Sequence, residues 1–241
     1  MTTSEFVIIG AGFAGAATAY HLARGGARDL LVLEQEPTAG VHSSGRNAAM
    51  VRQVVSDPAL AALTAEGAAF LRSPPADWPA PRGFEQNGSL LLASGAGWKT
   101  LIQDGETARR MGMAVECWTR ERATDFVPAL KGADFDGAVW CATDGVVDIH
   151  ALLTGYLKGA AALGARVRYR AAVRAIESRN GRVTAVVTAE ERIETGNVID
   201  AAGPWAAAVA EMAGAVAAPL DRKSTRLNSS HIQKSRMPSS A

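Results

Sequence analysis

The sequence predicts an α/β protein that opens with two parallel strands joined by a helix. The apolar, β-branched run Phe6–Gly10 is typical of a strand buried on both faces, and Leu30–Glu34 is a second run of the same kind. Between them, the alanine-rich segment Ala14–Gly25 predicts a helix that stops at two consecutive glycines. Strands joined by a helix within about 30 residues pair in parallel, so we expect a parallel sheet with helices packed against it.

The chain then continues to alternate strands and helices. The polar segment Ser43–Ala49 predicts a loop leading into a helix that ends near Val55, and the proline-rich residues 73–81 predict a crossing between domains. Further helices are predicted over Pro58–Leu71, Trp98–Met113, Arg120–Phe126, Asp148–Leu163 and from Pro204 to about Ala213. Further strands are predicted over Gly88–Ser94, Gly137–Ala142, Arg166–Tyr169, Ala172–Ile176, Arg182–Ala189 and Ile193–Asp200, with a hairpin turn at Asn180–Gly181.

The composition argues against several classes of protein. Only 6% of the 241 residues are aromatic and the formal net charge is +1, so no nucleic-acid surface is indicated. No apolar run reaches the roughly 18 residues of a membrane span. No basic region precedes the first strand, so we expect a cytoplasmic protein without a signal peptide. Cys117 and Cys141 are too few for a disulfide framework and lack metal-ligand spacing, so no metal is expected.

Residues 221–241 differ from the rest of the chain. Serines and basic residues crowd together there, and the only strongly apolar side chains are Leu227, Ile232 and Met237. Such a segment buries too little apolar surface to become ordered. The run DRKSTRLNSSH resembles a translated sequencing adapter, so we interpret residues 221–241 as a disordered, non-native tail rather than a basic targeting arm. We therefore expect the genuine sequence to be interrupted near Leu220.

Gly10, Gly12 and Gly15 form the pattern Gly-x-Gly-x-x-Gly, with Phe13 and Ala14 between the last two glycines. The pattern follows the first predicted strand and opens the first predicted helix. In that context the first glycine permits a tight turn, the second lets a diphosphate approach the backbone, and the third lets helix and sheet pack closely. The unpaired N–H groups at the start of the helix would bind the phosphates.

Glu34 supplies the acidic residue that such a site needs. It ends the second predicted strand, 19 residues after Gly15, where its carboxylate would accept hydrogen bonds from the ribose hydroxyls of adenosine. A carboxylate there would repel a ribose phosphate, which argues against NADP. A glycine-rich turn without a ligand is the alternative, but strand, helix and acid together favour a Rossmann-like site for FAD or NAD.

Four segments in this order resemble the D-amino-acid oxidase (DAO) family of FAD-dependent oxidoreductases. They are GAGFAGAATAYHLA from Gly10, HSSGRNAA from His42, GVVDIHALLTGYLKGAAALGA from Gly145 and VIDAAGPWAAAVA from Val198. The similarity covers Phe6 to Leu220. Within the family, the chain is most similar to D-arginine dehydrogenase-like and other D-amino-acid dehydrogenases.

The resemblance implies FAD as the cofactor and adds contacts to the glycine-rich turn and Glu34. The added residues are Gln35, Ser43, Ser44, Arg46, Asn47, Ala48, Val173, Ala201, Ala202, Gly203 and Trp205. Residues 43–48 would surround the ribityl and diphosphate region, with Arg46 as a counter-charge, and Val173 would hold the adenine through its main chain. A solvated position for Arg46 and core packing for Trp205 are the alternatives.

The chain departs from the D-arginine dehydrogenase-like pattern directly after HSSGRNAA. Met50 replaces a histidine, and Arg52 and Gln53 also differ, so arginine is not implied as the substrate. Arg52 would either meet a substrate carboxylate or lie on the surface. Some relatives attach flavin covalently through a nearby histidine, but the spacing of His42 differs from theirs.

The implied reaction is oxidation of the C–N bond of an amino acid or amine. Hydride passes from Cα to flavin N5, the imine is then hydrolysed, and the electron acceptor is left open. The resemblance implies a discontinuous FAD-binding domain (1–84 and 143–220, a parallel sheet with helices and a β-meander) and part of a sheet-based α+β substrate domain (85–142). The catalytic residues are expected beyond Leu220, so the fragment is expected to be inactive. The alternatives are a non-catalytic nucleotide-binding module and a Rossmann oxidoreductase acting on a non-amine substrate.

Overall fold

The computed structural model describes residues 2–81 and 83–217. The strands are β1 (Thr2–Thr3), β2 (Phe6–Ile9), β3 (Leu30–Leu33), β4 (Met50–Val51), β5 (Phe84–Glu85), β6 (Ser89–Ala93), β7 (Val115–Thr119), β8 (Gly137–Cys141), β9 (Gly145–Val147), β10 (Arg166–Arg168), β11 (Val173–Arg179), β12 (Arg182–Thr188), β13 (Arg192–Glu194) and β14 (Asn197–Asp200). The α-helices are α1 (Phe13–Arg24), α2 (Pro58–Arg72), α3 (Gly95–Arg110), α4 (Arg120–Phe126), α5 (Ile149–Ala162) and α6 (Ala206–Met212). Short 3₁₀ helices occupy Ser43–Gly45, Pro128–Leu130 and Gly203–Trp205. The predicted non-native tail, residues 221–241, lies outside the described residues.

The described chain forms two compact units. The first contains residues 2–48, 78–81 and 149–217, and the second contains residues 49–77 and 83–148. These limits differ from the predicted domain boundaries mainly at residues 49–77, which pack with the second unit because β4 pairs with β9. None of the described helices combines the length and apolar character that a membrane span requires.

The first unit is built on a four-stranded parallel sheet in the order β10-β3-β2-β14. Phe6 pairs with Leu30 in the parallel register of β2 and β3, so the predicted parallel β–α–β unit is confirmed. Val7 and Ile8, which point to opposite faces of the sheet, are both fully buried. The parallel strands are therefore covered on both faces, which explains their continuous apolar sequence.

The second sheet of this unit has the order β1-β13-β12-β11. Its buried apolar side chains, among them Val186, share a core with Val7 and Leu31 of the parallel sheet. The predicted hairpin joins β11 to β12. Both of its turn residues have positive φ (Asn180 53°, Gly181 73°), as a two-residue hairpin turn of the commonest type requires.

The predicted single strand Ile193–Asp200 is wrong. The chain instead forms β13, which pairs with β12 and β1, and β14, which pairs with β2 in the parallel sheet. Thr195 stabilises the change of sheet, because its Oγ1 accepts a hydrogen bond from the Asn197 N–H (3.2 Å) and closes a local turn. Residues 194–197 (Glu-Thr-Gly-Asn) carry no apolar side chain, and this short polar run is the local signal of the turn that the prediction overlooked.

An aromatic cluster joins α1, α5 and the segment Trp78–Pro81. The Tyr20 ring lies edge-on to Trp78 (5.4 Å between centroids) and to Tyr156 (5.6 Å). Gly159 of α5 faces the Tyr20 ring, where a Cβ would come within 2.7 Å, so the helices approach closely at this point. Burial, together with the nearby Tyr20, raises the pKa of Tyr156 to about 12.

Replacing Tyr156 with phenylalanine is expected to reduce the loss of stability at alkaline pH. An unfolded tyrosine has a pKa near 10, whereas the folded pKa of Tyr156 is about 12. Between these values the folded state holds a proton that the unfolded state has lost, so the free energy of unfolding falls as the pH rises from about 10 to 12. Urea titrations at about pH 9, 10.5 and 11.5 test this. An equally steep decline in Tyr156→Phe would contradict it.

The second unit contains two three-stranded antiparallel sheets, in the orders β4-β9-β5 and β6-β8-β7. Helix α3 covers one face of the second sheet, where Ala108 packs with Val115 and Val139. The predicted helix from the polar loop to Val55 is wrong, because Met50–Val51 pairs with β9 instead. The strand β7 was not predicted.

Candidate functional site

A cavity of about 310 Å³ lies at the carboxyl edge of the parallel sheet. β2 leads into Gly10, β3 into Glu34 and β14 into Ala201, and all three residues line the cavity. Because the strands are parallel, their carboxyl ends meet at one edge, which is where open α/β sheets bind ligands.

Gly10 and Gly15 allow the turn after β2 to pack tightly. Gly10 has φ of +105°, and a Cβ there would lie 2.5 Å from the carbonyl oxygen of Ala201. A Cβ on Gly15 would overlap the carbonyl oxygen of Gly10. A side chain at Gly10 would therefore push the turn away from the segment after β14, and one at Gly15 would push α1 away from the turn.

The amino end of α1 faces the same cavity. Its N-cap residue, Gly12, offers no side-chain hydrogen bond, and the first turn contains no acidic residue. The Phe13 N–H donates to Ser44 Oγ at 2.9 Å. The end of a helix carries partial positive charge and unpaired N–H groups, so this arrangement suits a phosphate.

Glu34 joins the turn to the end of β3. The residue is 8% exposed. Its Oε2 accepts a hydrogen bond from the Ala11 N–H at 2.8 Å, and its Oε1 accepts one from the Glu36 N–H at 2.9 Å. A carboxylate has about four acceptor positions, so both oxygens can still accept hydroxyl hydrogens. Burial and the Glu34 charge raise the pKa of the neighbouring Tyr169.

Most of the predicted cofactor residues come together in this cavity. Those that line it are Gly10, Gly12, Phe13, Ala14, Glu34, Gln35, Ser43, Ser44, Val173, Ala201, Ala202, Gly203 and Trp205. Gly15 packs behind the turn, and Arg46, Asn47 and Ala48 are exposed and do not line the cavity.

Sequence reasoning missed several lining residues. They are Ile9, Gly40, Val41, His42, Pro204, Ala208, Val209 and Met212. The spacing of Ala208 and Met212, one helical turn apart on α6, would have indicated a shared face. His42 opens the segment HSSGRNAA, but its spacing argued only against covalent flavin attachment and did not indicate a place in the cavity lining.

Replacing Glu34 with glutamine is expected to weaken FAD binding by about 10- to 100-fold, because hydrogen bonds to a charged group are worth about 1.5–3 kcal/mol. The amide also presents a donor to one of the two backbone N–H groups that the carboxylate accepts. Flavin fluorescence titration measures the affinity. Glu211→Gln, on the exposed side of α6, is the matched control and should bind as the unchanged protein does. Equal affinities for both variants would contradict the role of Glu34.

The lining fits a dinucleotide. It combines apolar side chains and glycines with a helix end for phosphates and one buried carboxylate for a ribose. Among the described residues, no group of three or more His, Cys, Asp or Glu side chains is placed to hold a metal ion.

Two curated relatives resemble most of the chain. Mouse sarcosine dehydrogenase is 30% identical over 230 residues, covering 91% of this chain and 24% of the relative. The 4-methylaminobutanoate oxidase (formaldehyde-forming) of Paenarthrobacter nicotinovorans is 28% identical, covering 89% of this chain and 26% of the relative. The chain thus spans about a quarter of the length of these relatives.

A solved structure has the same fold. L-proline dehydrogenase from P. horikoshii superposes with a TM-score of 0.81 at 28% identity, covering 88% of this chain and 56% of that one. The family described as DAO, FAD dependent oxidoreductase, matches residues 5–239, a range that includes most of the segment interpreted above as a tail. FAD is the cofactor of this family, and the chain belongs to it: it is a member of the DAO family of FAD-dependent oxidoreductases.

Proposed function

We propose that the chain forms the FAD-binding part of an enzyme that oxidises the C–N bond of a secondary amine carrying a carboxylate. The observation that carries the proposal is the cavity at the sheet edge, with its glycine turn, helix end and Glu34. The names of three similar proteins support the substrate class, because sarcosine, 4-methylaminobutanoate and proline are all secondary amines with a carboxylate.

The chain's own residues would bind the cofactor in this reaction. Glu34 would hold the adenosine ribose, and the amino end of α1 with Ser44 would hold the diphosphate. Bound FAD would accept a hydride from the carbon next to nitrogen, which leaves a C=N bond that water hydrolyses to a carbonyl compound and an amine. The predicted contacts of Arg46, Asn47 and Ala48 belong to the proposal, although these side chains lie outside the cavity lining.

The second unit is proposed as part of the substrate domain. Gln53 is unsuited to contact substrate, because it is 2% exposed and its amide donates to Asp144 at 2.8 Å.

A D-amino acid, as in D-arginine dehydrogenase-like members, is the second candidate, and the segment HSSGRNAA supports it. No catalytic residue is assigned, and this chain alone is proposed to be inactive.

Anaerobic reduction of bound flavin distinguishes the candidates. FAD binding is measured first on this chain, and reduction is then followed on a longer protein that contains it. Sarcosine, 4-methylaminobutanoate and L-proline are compared with glycine and D-arginine. We expect the secondary amines to bleach the flavin absorbance. Bleaching by D-arginine alone would overturn the substrate class, and no FAD binding would overturn the function.

A further inference from the structure

The cavity lacks the cation that a diphosphate would be expected to meet. Among the described residues that line it, there is no lysine or arginine. Arg46, predicted as the counter-charge, is exposed and outside the lining. Glu34 and His42 are the ionisable side chains that line the cavity, and only His42 can become positive.

Two neighbours fix the His42 ring. Its Nε2 lies 2.9 Å from Glu36 Oε1, and its ring lies edge-on to Trp205 with 4.6 Å between centroids. The loop itself is held by the Gly45 N–H, which donates to the His42 carbonyl at 3.0 Å. No hydrogen bond to Nδ1 is found within the described part of the chain.

This arrangement determines what Nδ1 can do. An ionised carboxylate only accepts hydrogen bonds, so Nε2 must carry a proton when it is bonded to Glu36. In the neutral ring Nδ1 is then an acceptor, and it can donate only after the ring takes up a second proton. The charged groups near the ring are Glu36, which is bonded to it, and Glu34, which lines the same cavity; the lining residues of α6 are uncharged.

We propose that His42 binds an acceptor oxygen of FAD through Nδ1 and takes up a proton as FAD binds. The inference rests on the proposed placement of FAD in this cavity. An anionic ligand favours the protonated ring, so FAD affinity falls as the pH rises over the range in which binding takes up a proton. Glu36 is the positioning residue, because it selects which nitrogen is free.

Calorimetric titration of the full chain with FAD tests the proposal. Binding in buffers of different ionisation enthalpy should show uptake of up to about one proton, and FAD affinity should fall by up to about tenfold for each pH unit over which that uptake persists. His42→Gln should bind more weakly, with no proton uptake and no dependence on pH. His150 is exposed on α5, and His150→Gln is the matched control. This variant should retain the proton uptake and the pH dependence of the unchanged protein.

Glu36→Gln provides a test that does not depend on removing the ring. The amide can donate to Nε2, which leaves a neutral Nδ1–H as a donor. FAD should then bind with little proton uptake and nearly constant affinity from pH 6 to pH 8. FAD binding without proton uptake in the unchanged protein, or the same uptake in His42→Gln, would overturn the inference while leaving the proposed function intact. Absence of FAD binding would overturn both.

Discussion

Replacing Gly12 with valine is expected to weaken FAD binding at least about 100-fold, which corresponds to about 2.7 kcal/mol, while the protein stays folded. The backbone at Gly12 (φ −74°, ψ −175°) is open to any residue, so valine introduces no backbone strain there. Its Cβ, however, would lie 2.8 Å from Ser44 Oγ, between the amino end of α1 and the loop that faces it. The side chain would occupy the space through which a diphosphate approaches the helix N–H groups.

Flavin fluorescence titration measures this loss, and circular dichroism checks the fold. Gly67→Ala is the control: this glycine lies in α2 with open space around it, so alanine should leave FAD affinity unchanged and stabilise the helix by about 0.5–1 kcal/mol. Gly15→Val is the contrasting variant, because its overlap with the Gly10 carbonyl should prevent folding. Affinity of Gly12→Val within a few-fold of the unchanged protein would contradict the role given to the helix end.

The beginning of the first unit was predictable because its signals are local. The β2–α1–β3 unit follows from apolar runs, a glycine turn and an acid placed close together in sequence. Parallel pairing follows from the helical crossover between the two buried strands. The sites of Glu34 and the glycines are therefore fixed by short-range geometry.

The missed features depend on contacts between distant segments. Residues 50–51 form a strand because β9, far along the chain, supplies the partner. The predicted single strand divides at Thr195 because its two halves pair in different sheets. β13 pairs with β12, and β14 pairs with β2. The His42 ring is held by Glu36, six residues earlier, and by Trp205, which lies far along the chain. Composition and residue spacing do not show which distant segments will pair.

Replacing Asp144 with alanine is expected to destabilise the second unit by about 3–5 kcal/mol, because three buried hydrogen bonds to one carboxylate are lost at about 1–3 kcal/mol each. Asp144 is fully buried. Its Oδ1 accepts from the Gln53 N–H (3.0 Å) and the Gln53 side-chain amide (2.8 Å), and its Oδ2 accepts from the Ser89 hydroxyl (2.6 Å). Alanine would leave these buried donors without their acceptor, and stranded donors are costly.

Graded variants separate the loss of the network from a simple loss of packing. Ser89→Ala removes one hydrogen bond and should cost about 1–2 kcal/mol. Asp144→Asn keeps the shape and one acceptor oxygen, and the Ser89 hydroxyl can rotate to accept from the new amide, so its cost should lie well below that of alanine. Urea denaturation gives the free energies, and hydrogen exchange in β6 and β7 localises them to the second unit. A cost below about 1 kcal/mol for Asp144→Ala would mean that packing of α3 on the sheet, and not the carboxylate, holds this unit together.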